Sequence, residues 1–212
     1  MLTKPISTEA TDRLSRQMQF IAEAGRLRGV VRQTTLADPA RRENSAEHSW
    51  HLTVLALTLA EYAPGGTDLA RVVAMLAVHD VVEVDAGDLS VYAPPSDQAR
   101  QQAAEVAAAD RLFALLPSDQ AGSMRELWFE FEERTTLEAR FARALDRLQP
   151  MLENVKVGGG TWRERGVTVA DVLPKVALIE DGSPQLGQFA RDLIEQAVRD
   201  GILAAGHGPA RS

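Results

Sequence analysis

Apolar residues in this chain recur at three- and four-residue intervals, and Pro and Gly punctuate the repeat. That spacing lines one face of an α-helix, while the two-residue alternation of strands is scarce, so the chain is predicted to be all-α. Helices are expected over about 8–25, with Leu14, Met18 and Ile21 on one stripe, and over about 45–62, where His48, Leu52, Leu55, Leu59 and Tyr62 share a face. A third is expected over 68–84, where Leu69, Val72, Val73 and Leu76 lead to His79, and others over 97–116, 119–133, 136–154, 168–180 and 184–200. Thr67 or Asp68 suits the third N-cap, Ser118 and Ser183-Pro184 later ones, and Thr135 with Glu138 has the spacing of a capping box. Pro64-Gly65-Gly66, Pro117 and Gly201 are stops, and Gly158-Gly159-Gly160 is a break. The stretch 26–43, which contains Pro39, fits no period and is expected to be an irregular, Arg-rich connector, long enough to suggest a functional loop. The tail from His207 is expected to fray.

Composition narrows the chemistry. The chain has 212 residues, 45% of them hydrophobic, enough for a sizeable core. With no cysteine, disulfides, thiolate nucleophiles and Cys-ligated zinc are excluded. Any metal must then be held by imidazole and carboxylate, which suits one divalent ion of Mn, Co, Mg, Fe, Zn or Ni. A net charge of −7 argues against a nucleic-acid polymer as partner. It leaves room for a small phosphorylated substrate, since Arg26, Arg28, Arg32, Arg41 and Arg42 cluster in one segment. No run approaches the ~18 apolar residues of a membrane span. No secretory pattern opens the chain, so a cytoplasmic protein with no membrane partner is expected.

Four polar residues interrupt faces that are otherwise apolar: His48, the adjacent His79 and Asp80, and Asp146 within Phe-Ala-Arg-Ala-Leu-Asp-Arg-Leu. Burying any of them without a partner costs ~2 kcal/mol or more. One shared divalent ion satisfies all four. Two imidazoles and two carboxylates also leave positions for water and a substrate oxygen, the requirement for metal-assisted hydrolysis. Taken singly, each residue is more often a hydrogen-bonded core group or a solvated carboxylate; the combination carries the reading. His51, one turn past His48, is expected only to pack nearby, and Trp50, Trp128 and Trp162 are expected in the core.

The order Glu47-His48-Ser49, then His79-Asp80, then Asp146 resembles the H…HD…D signature of the HD-domain phosphohydrolase superfamily. Glu43-Asn44-Ser45-Ala46-Glu47-His48-Ser49 and His79-Asp80-Val81-Val82-Glu83-Val84-Asp85-Ala86-Gly87-Asp88 are similar to segments of the bacterial 5′-deoxyribonucleotidases, as is Ala144-Leu145-Asp146-Arg147-Leu148-Gln149-Pro150. The resemblance runs from about 26 to 154 and continues through Trp162-Arg163-Glu164. It implies a compact helical bundle around one metal, with His48, His79, Asp80 and Asp146 as ligands. It makes Glu83 and Asp88 the residues that position water and manage protons, and Arg32 the phosphate clamp. Glu83 lies four residues past His79, within reach on a common helix face. Gln33 stands where the nucleotidases have Trp after that Arg, and Arg28, Arg41 or Arg42 are alternatives for its role.

The resulting expectation is a single HD-domain phosphohydrolase over 1–212, with helices 168–204 packed on the motif-bearing core, acting on a phosphomonoester, foremost a (deoxy)nucleoside 5′-monophosphate. A nucleotide pyrophosphohydrolase or phosphodiesterase is the alternative enzyme, and a non-catalytic nucleotide-binding protein that keeps its metal is the alternative of another class. Glu83 and Asp88 speak against the latter, because a structural site needs no proton managers. A homodimer is expected by resemblance, with helices after 95 as one available surface.

Overall fold

The computed structural model describes residues 8–37 and 40–206; Pro39 and the tail from His207 lie outside them. Its elements run α1 (Thr8–Ala24), a 3-10 turn (Gly25–Gly29), β1 (Val31–Ala37), β2 (Ala40–Asn44), α2 (Ser45–Thr58), α3 (Leu69–Val78) and α4 (Glu83–Ala86). They continue with α5 (Pro95–Phe113), α6 (Ser118–Glu133), α7 (Leu137–Lys156), α8 (Gly160–Arg165), α9 (Val169–Gly182) and α10 (Pro184–Arg199). The predicted all-α class holds, and no helix among the described residues is long and apolar enough to cross a membrane.

α7 is the hub. It packs on α2, α3, α6, α9 and α10, and Phe141, Leu145 and Leu148 are buried along it. These join Leu52, Met75, Phe131, Val176 and Ile179 in the larger core. A second core gathers Phe20, Leu27, Val81, Val82, Leu112, Phe113 and Trp128. Local signals explain many boundaries. Asp68 accepts from the amides of Ala70 and Arg71 at the head of α3, and Ser183 from that of Leu186 at the head of α10, with Pro184 at the first helical position.

The stretch 26–43 is not irregular. β1 and β2 form an antiparallel hairpin in which Val31 faces Asn44 and Thr35 faces Arg42, so β1 bulges over the residues between Val31 and Thr35. The β-branched Val30, Val31, Thr34 and Thr35 carried a strand signal that the arginines masked. The bulge aims Arg32 inward, and its backbone is held at the Gln33 carbonyl by Arg42 and by Thr161 Oγ1 at 2.8 Å.

The helix expected over 68–84 also breaks. Between Val78 and Val84 the amides bond three residues back, Val81 to Val78, Glu83 to Asp80 and Val84 to Val81. Three-residue turns eclipse side chains at i and i+3, which aligns Asp80 with Glu83 rather than His79 with Glu83. The indole of Trp128 donates to the His79 carbonyl at 3.1 Å and so caps the interruption. Smaller corrections follow the same logic. The helix expected over 45–62 ends at Thr58, followed by a short 3-10 turn. Thr136, not Thr135, caps α7, and Glu138 instead accepts from the Asp68 amide at 2.8 Å. Pro117, not Ser118, precedes α6 without a side-chain cap. A helical turn, α8, follows directly on the glycine break. Trp128 and Trp162 are core residues as expected, whereas Trp50 is 67% exposed, and Leu14, Met18 and Ile21 face outward, leaving Phe20 to anchor α1.

The α7–α9 contact depends on a missing side chain. A Cβ on Gly182 would lie 2.3 Å from the Arg140 carbonyl oxygen and 2.8 Å from Ala144 Cβ. Both are fixed parts of the hub helix, so neither gives way cheaply. Gly182→Ala is expected to destabilise the fold by about 1–3 kcal/mol, read as a lower urea midpoint with unchanged slope.

Candidate metal centre

Asn44 caps α2 by accepting from the Glu47 amide at 3.0 Å, while the Glu47 carboxylate accepts from the Asn44 amide at 2.6 Å. This reciprocal box fixes where the helix starts and sets His48 on its buried face, facing Asp146 from α7. His48 Nε2 lies 3.2 Å and His79 Nε2 3.9 Å from Asp146 Oδ1, and the ligating atoms of the three residues all lie within 4.8 Å of one another. Asp80 adds Oδ1 at 3.0 Å from His79 Nε2. It stands beside the three rather than within their closest grouping, because its Oδ2 accepts from Arg32 at 2.8 Å. Nitrogen and oxygen atoms about 2.1 Å from one shared ion sit about 3–4 Å apart, the spacing seen here.

The fit to a cation rests on His79. Its Nδ1 is committed as donor to the Leu76 carbonyl at 3.0 Å, so the neutral ring presents the lone pair of Nε2. That atom is buried without a hydrogen-bond partner and faces carboxylate oxygens of Asp80 and Asp146. A lone pair pressed against two anions is repulsive until a cation lies between them. Residues present and donor chemistry therefore suit a divalent ion held by His48, His79, Asp80 and Asp146.

The surrounding charges sort the carboxylates into two kinds. Burial opposes ionisation of Asp80, but the adjacent His79 imidazole and the Arg32 guanidinium outweigh it and hold the group well below the usual range. Burial likewise opposes ionisation of Asp146, and Arg147, the His48 hydrogen bond and Arg143 overcome it. Glu83 goes the other way. Burial and then the negative charge of Asp80 push it well above the usual carboxylate range, despite Arg32 and a hydrogen bond from Ser45 Oγ at 2.5 Å. Asp88 is raised too, chiefly by burial, although Arg32 opposes the shift; its Oδ2 accepts from the Gln33 amide at 3.2 Å. Glu83 and Asp88 both lie within 4 Å of the Arg32 guanidinium, at 3.8 and 3.6 Å.

Arg32 is thus the arginine of the 26–42 group that meets the site. Arg41 pairs with Glu47, Arg42 with Glu164 and the bulge, and Arg28 with the Gly25 carbonyl. His51 stays outside, 3.3 Å from Gln149 Nε2.

Sequence reasoning assigned nothing to Glu43 or Gln149, although both lie in the motif segments. Glu43 is buried with Oε2 3.4 Å from His48 Nδ1, and its Oε1 accepts from Gln149 Nε2 at 2.8 Å. A carboxylate there fixes the His48 ring with Nε2 free for the ion. The signal available was a Gln on an otherwise apolar helix face three residues past Asp146. Glu43→Ala is expected to weaken Mn²⁺ binding about 10–100-fold, measured by calorimetry, with Glu43→Gln recovering part of the loss.

Two adjoining hollows open from the centre. A polar one of about 640 Å³ is lined by Asp80, Glu83, Asp88 and Asp146. A more apolar one of about 580 Å³ is lined by Tyr92, Met151, Asn154 and Trp162. They share a wall of Arg32, Asp88, Leu89, Val91 and Arg147.

A helical fold with paired histidines and aspartates at its hub defines a metal-dependent phosphohydrolase of the HD type, and comparison with known proteins agrees. The HD domain family model matches residues 24–186, and the chain belongs to that family. A predicted metal-dependent phosphohydrolase from Magnetospirillum magnetotacticum MS-1 is 48% identical, with a TM-score of 0.89 over 94% of this chain and 99% of that one. The 5′-deoxynucleotidase HDDC2 of Bos taurus is 28% identical over 70% of this chain and 71% of its own length. Its Xenopus laevis counterpart is 30% identical over 64% and 66%. An HD-domain phosphohydrolase from Listeria innocua, 17% identical with a TM-score of 0.64 over 86% of this chain and 90% of that one, shares the fold.

Proposed function

We propose that the protein hydrolyses a (deoxy)nucleoside 5′-monophosphate to nucleoside and phosphate. The observation that carries this reading is the placement of two carboxyls whose pKa burial raises, Glu83 and Asp88, beside the His48–His79–Asp146 cluster, at the junction of a polar and an apolar hollow. Similarity to the HDDC2 5′-deoxynucleotidases supports the choice of substrate.

When bound by His48, His79, Asp80 and Asp146, a divalent ion supplies Lewis acidity toward a phosphoryl oxygen and a nucleophilic water near neutral pH. The chain's own groups do the rest. Glu83, its pKa raised by burial and by Asp80, holds its proton to higher pH than an ordinary carboxyl. Ser45 Oγ donates to Oε2, so the proton belongs on Oε1, where it is available to the departing 5′-oxygen. Asp88, held by the Gln33 amide, orients the attacking water. Arg32 lies between these groups and lends positive charge to the phosphoryl transfer, which depends mainly on positioning and charge stabilisation. The apolar hollow takes the nucleoside. Tyr92 is anchored there by accepting from the Trp162 indole at 3.2 Å, which leaves its own hydroxyl hydrogen free for a base or sugar.

The same reading takes the 212 residues as one working unit, since α9 packs along the ligand-bearing α7. It makes the protein a cytoplasmic homodimer, a pairing supported by the large apolar side chains left exposed on α1 and α2, Leu14, Met18, Ile21, Trp50 and Leu57. The test is phosphate release from a panel of nucleoside mono-, di- and triphosphates and cyclic nucleotides, with Mn²⁺ or Co²⁺ and with chelator. Release from 5′-monophosphates that stops on chelation is the expected result. Pyrophosphate release, or tight nucleotide binding without turnover, would overturn it.

A further inference from the structure

The cations around the centre are not equally committed. Arg32 is ringed by carboxylates, Asp80 at 2.8 Å, Glu43 at 3.4 Å, Asp88 at 3.6 Å and Glu83 at 3.8 Å. Arg143 pairs with Glu132 at 2.9 Å and Asp146 at 3.3 Å, and its guanidinium lies 4.2 Å over the Phe131 ring. Arg147 has far less. The carboxylate oxygen paired with it is Asp146 Oδ2 at 3.7 Å, an atom Arg143 already approaches more closely. Lys175 reaches the same space from α9 and makes no ion pair or hydrogen bond among the described residues.

Arg147 and Lys175 line the apolar hollow together, and both also line a more open hollow that shares Glu105, Glu132, Arg143 and Arg147 with the polar one and forms its mouth. Burial and the positive charge of Arg147 lower the Lys175 pKa and outweigh the opposing pull of Asp171, as expected of two cations facing one space. The acidic residues at that mouth do not supply the balancing negative charge. Glu132 is taken by Arg143, and burial raises Glu105 to about 7, which leaves it far less anionic than an ordinary carboxylate. An arrangement of this kind is costly when empty and becomes favourable when a dianion lies between the two groups. A guanidinium offers paired donors to phosphate oxygens and an ammonium a point charge, so the two together suit a phosphoryl group.

We propose that Arg147 and Lys175 form the phosphate-recognition pair of the cleft, gripping the non-bridging oxygens of the monoester and of the phosphate product. The inference deepens the nucleotidase reading and rests on it for the identity of the ester. It gives α9, outside the ligand-bearing helices, a direct part in substrate binding. Arg32, saturated by its carboxylates, then serves mainly to hold Asp80, Glu83 and Asp88 in place.

The test uses the full chain loaded with Mn²⁺ and inorganic phosphate as probe, titrated by calorimetry in wild type, Lys175→Gln, Lys175→Arg and Arg147→Gln. Lys175 is half-buried at the mouth, so its variants keep the test sound even where Arg147→Gln perturbs the neighbouring Asp146. Lys175→Gln is expected to weaken phosphate binding about tenfold (about 1.4 kcal/mol), with Mn²⁺ affinity within twofold of wild type and KM raised more than kcat is lowered. Lys175→Arg should recover most of the loss. Phosphate affinity and KM unchanged in both Gln variants, or no phosphate binding by loaded wild type, would overturn the pair. Nucleotide hydrolysis with unchanged phosphate affinity in the variants sinks this inference alone. Phosphate binding lost in the variants of a protein that hydrolyses no nucleotide sinks the choice of substrate and leaves the pair standing.

Discussion

Asp146→Asn will leave a folded protein that no longer retains a divalent ion and turns substrate over at least about 10³-fold more slowly. Asp146 Oδ1 is the one atom that approaches both imidazole nitrogens, at 3.2 Å from His48 and 3.9 Å from His79. Replacing it with an amide keeps the volume and removes the negative charge that balances the ion. Metal polarisation supplies several kcal/mol of transition-state stabilisation, and about 4 kcal/mol corresponds to about 10³ in rate. Metal content after desalting, circular dichroism and initial rates with saturating Mn²⁺ check the three parts separately. A variant that keeps a stoichiometric ion and its rate would reduce Asp146 to a structural carboxylate paired with Arg143 and Arg147.

Glu83→Gln should lower kcat by about 10²–10⁴, the usual worth of a positioned general acid or base, while Mn²⁺ affinity changes little. The amide still accepts from Ser45 Oγ and fills the same buried volume, so the fold has no reason to respond. What it cannot do is hand over a proton. The raised pKa of Glu83 comes mainly from burial and secondly from Asp80. The acid form that donates therefore persists to higher pH than in an ordinary carboxyl, and rate should fall as pH rises through the raised pKa, a limb that Glu83→Gln should erase. Rate against pH for the two proteins, with metal content fixed, reads this directly. A kcat within a few-fold of wild type would remove Glu83 from the chemistry.

These two predictions draw on parts of the molecule that were legible to different degrees. The helical hub could be read because Phe141, Leu145 and Leu148 repeat with the helix period, and Asp146 stood out as a carboxylate on that buried side. His48 and His79 stood out for the same reason. The break after Val78 could not be read. Val81 and Val82 continue the apolar pattern without pause, and only tertiary contacts, among them the Trp128 indole on the His79 carbonyl, explain why the chain tightens there. That tightening, rather than a common helix face with His79, carries Glu83 to the centre. The hairpin was hidden because Arg32, Arg41 and Arg42 look like a solvated loop until Asp80, Glu47 and Glu164 are seen as their partners. The exposed Leu14, Met18 and Ile21 show the converse limit, since periodicity gives a face but not what the face meets.

The central claim is that side chains from α2, α7 and the broken end of α3 hold one cation. Anomalous diffraction at the manganese or cobalt edge, from crystals grown with that ion, tests it most directly. One strong peak within bonding distance of His48 Nε2, His79 Nε2, Asp80 and Asp146 is the predicted result; a map without a peak there at saturating metal, or with its only peak elsewhere, would contradict it.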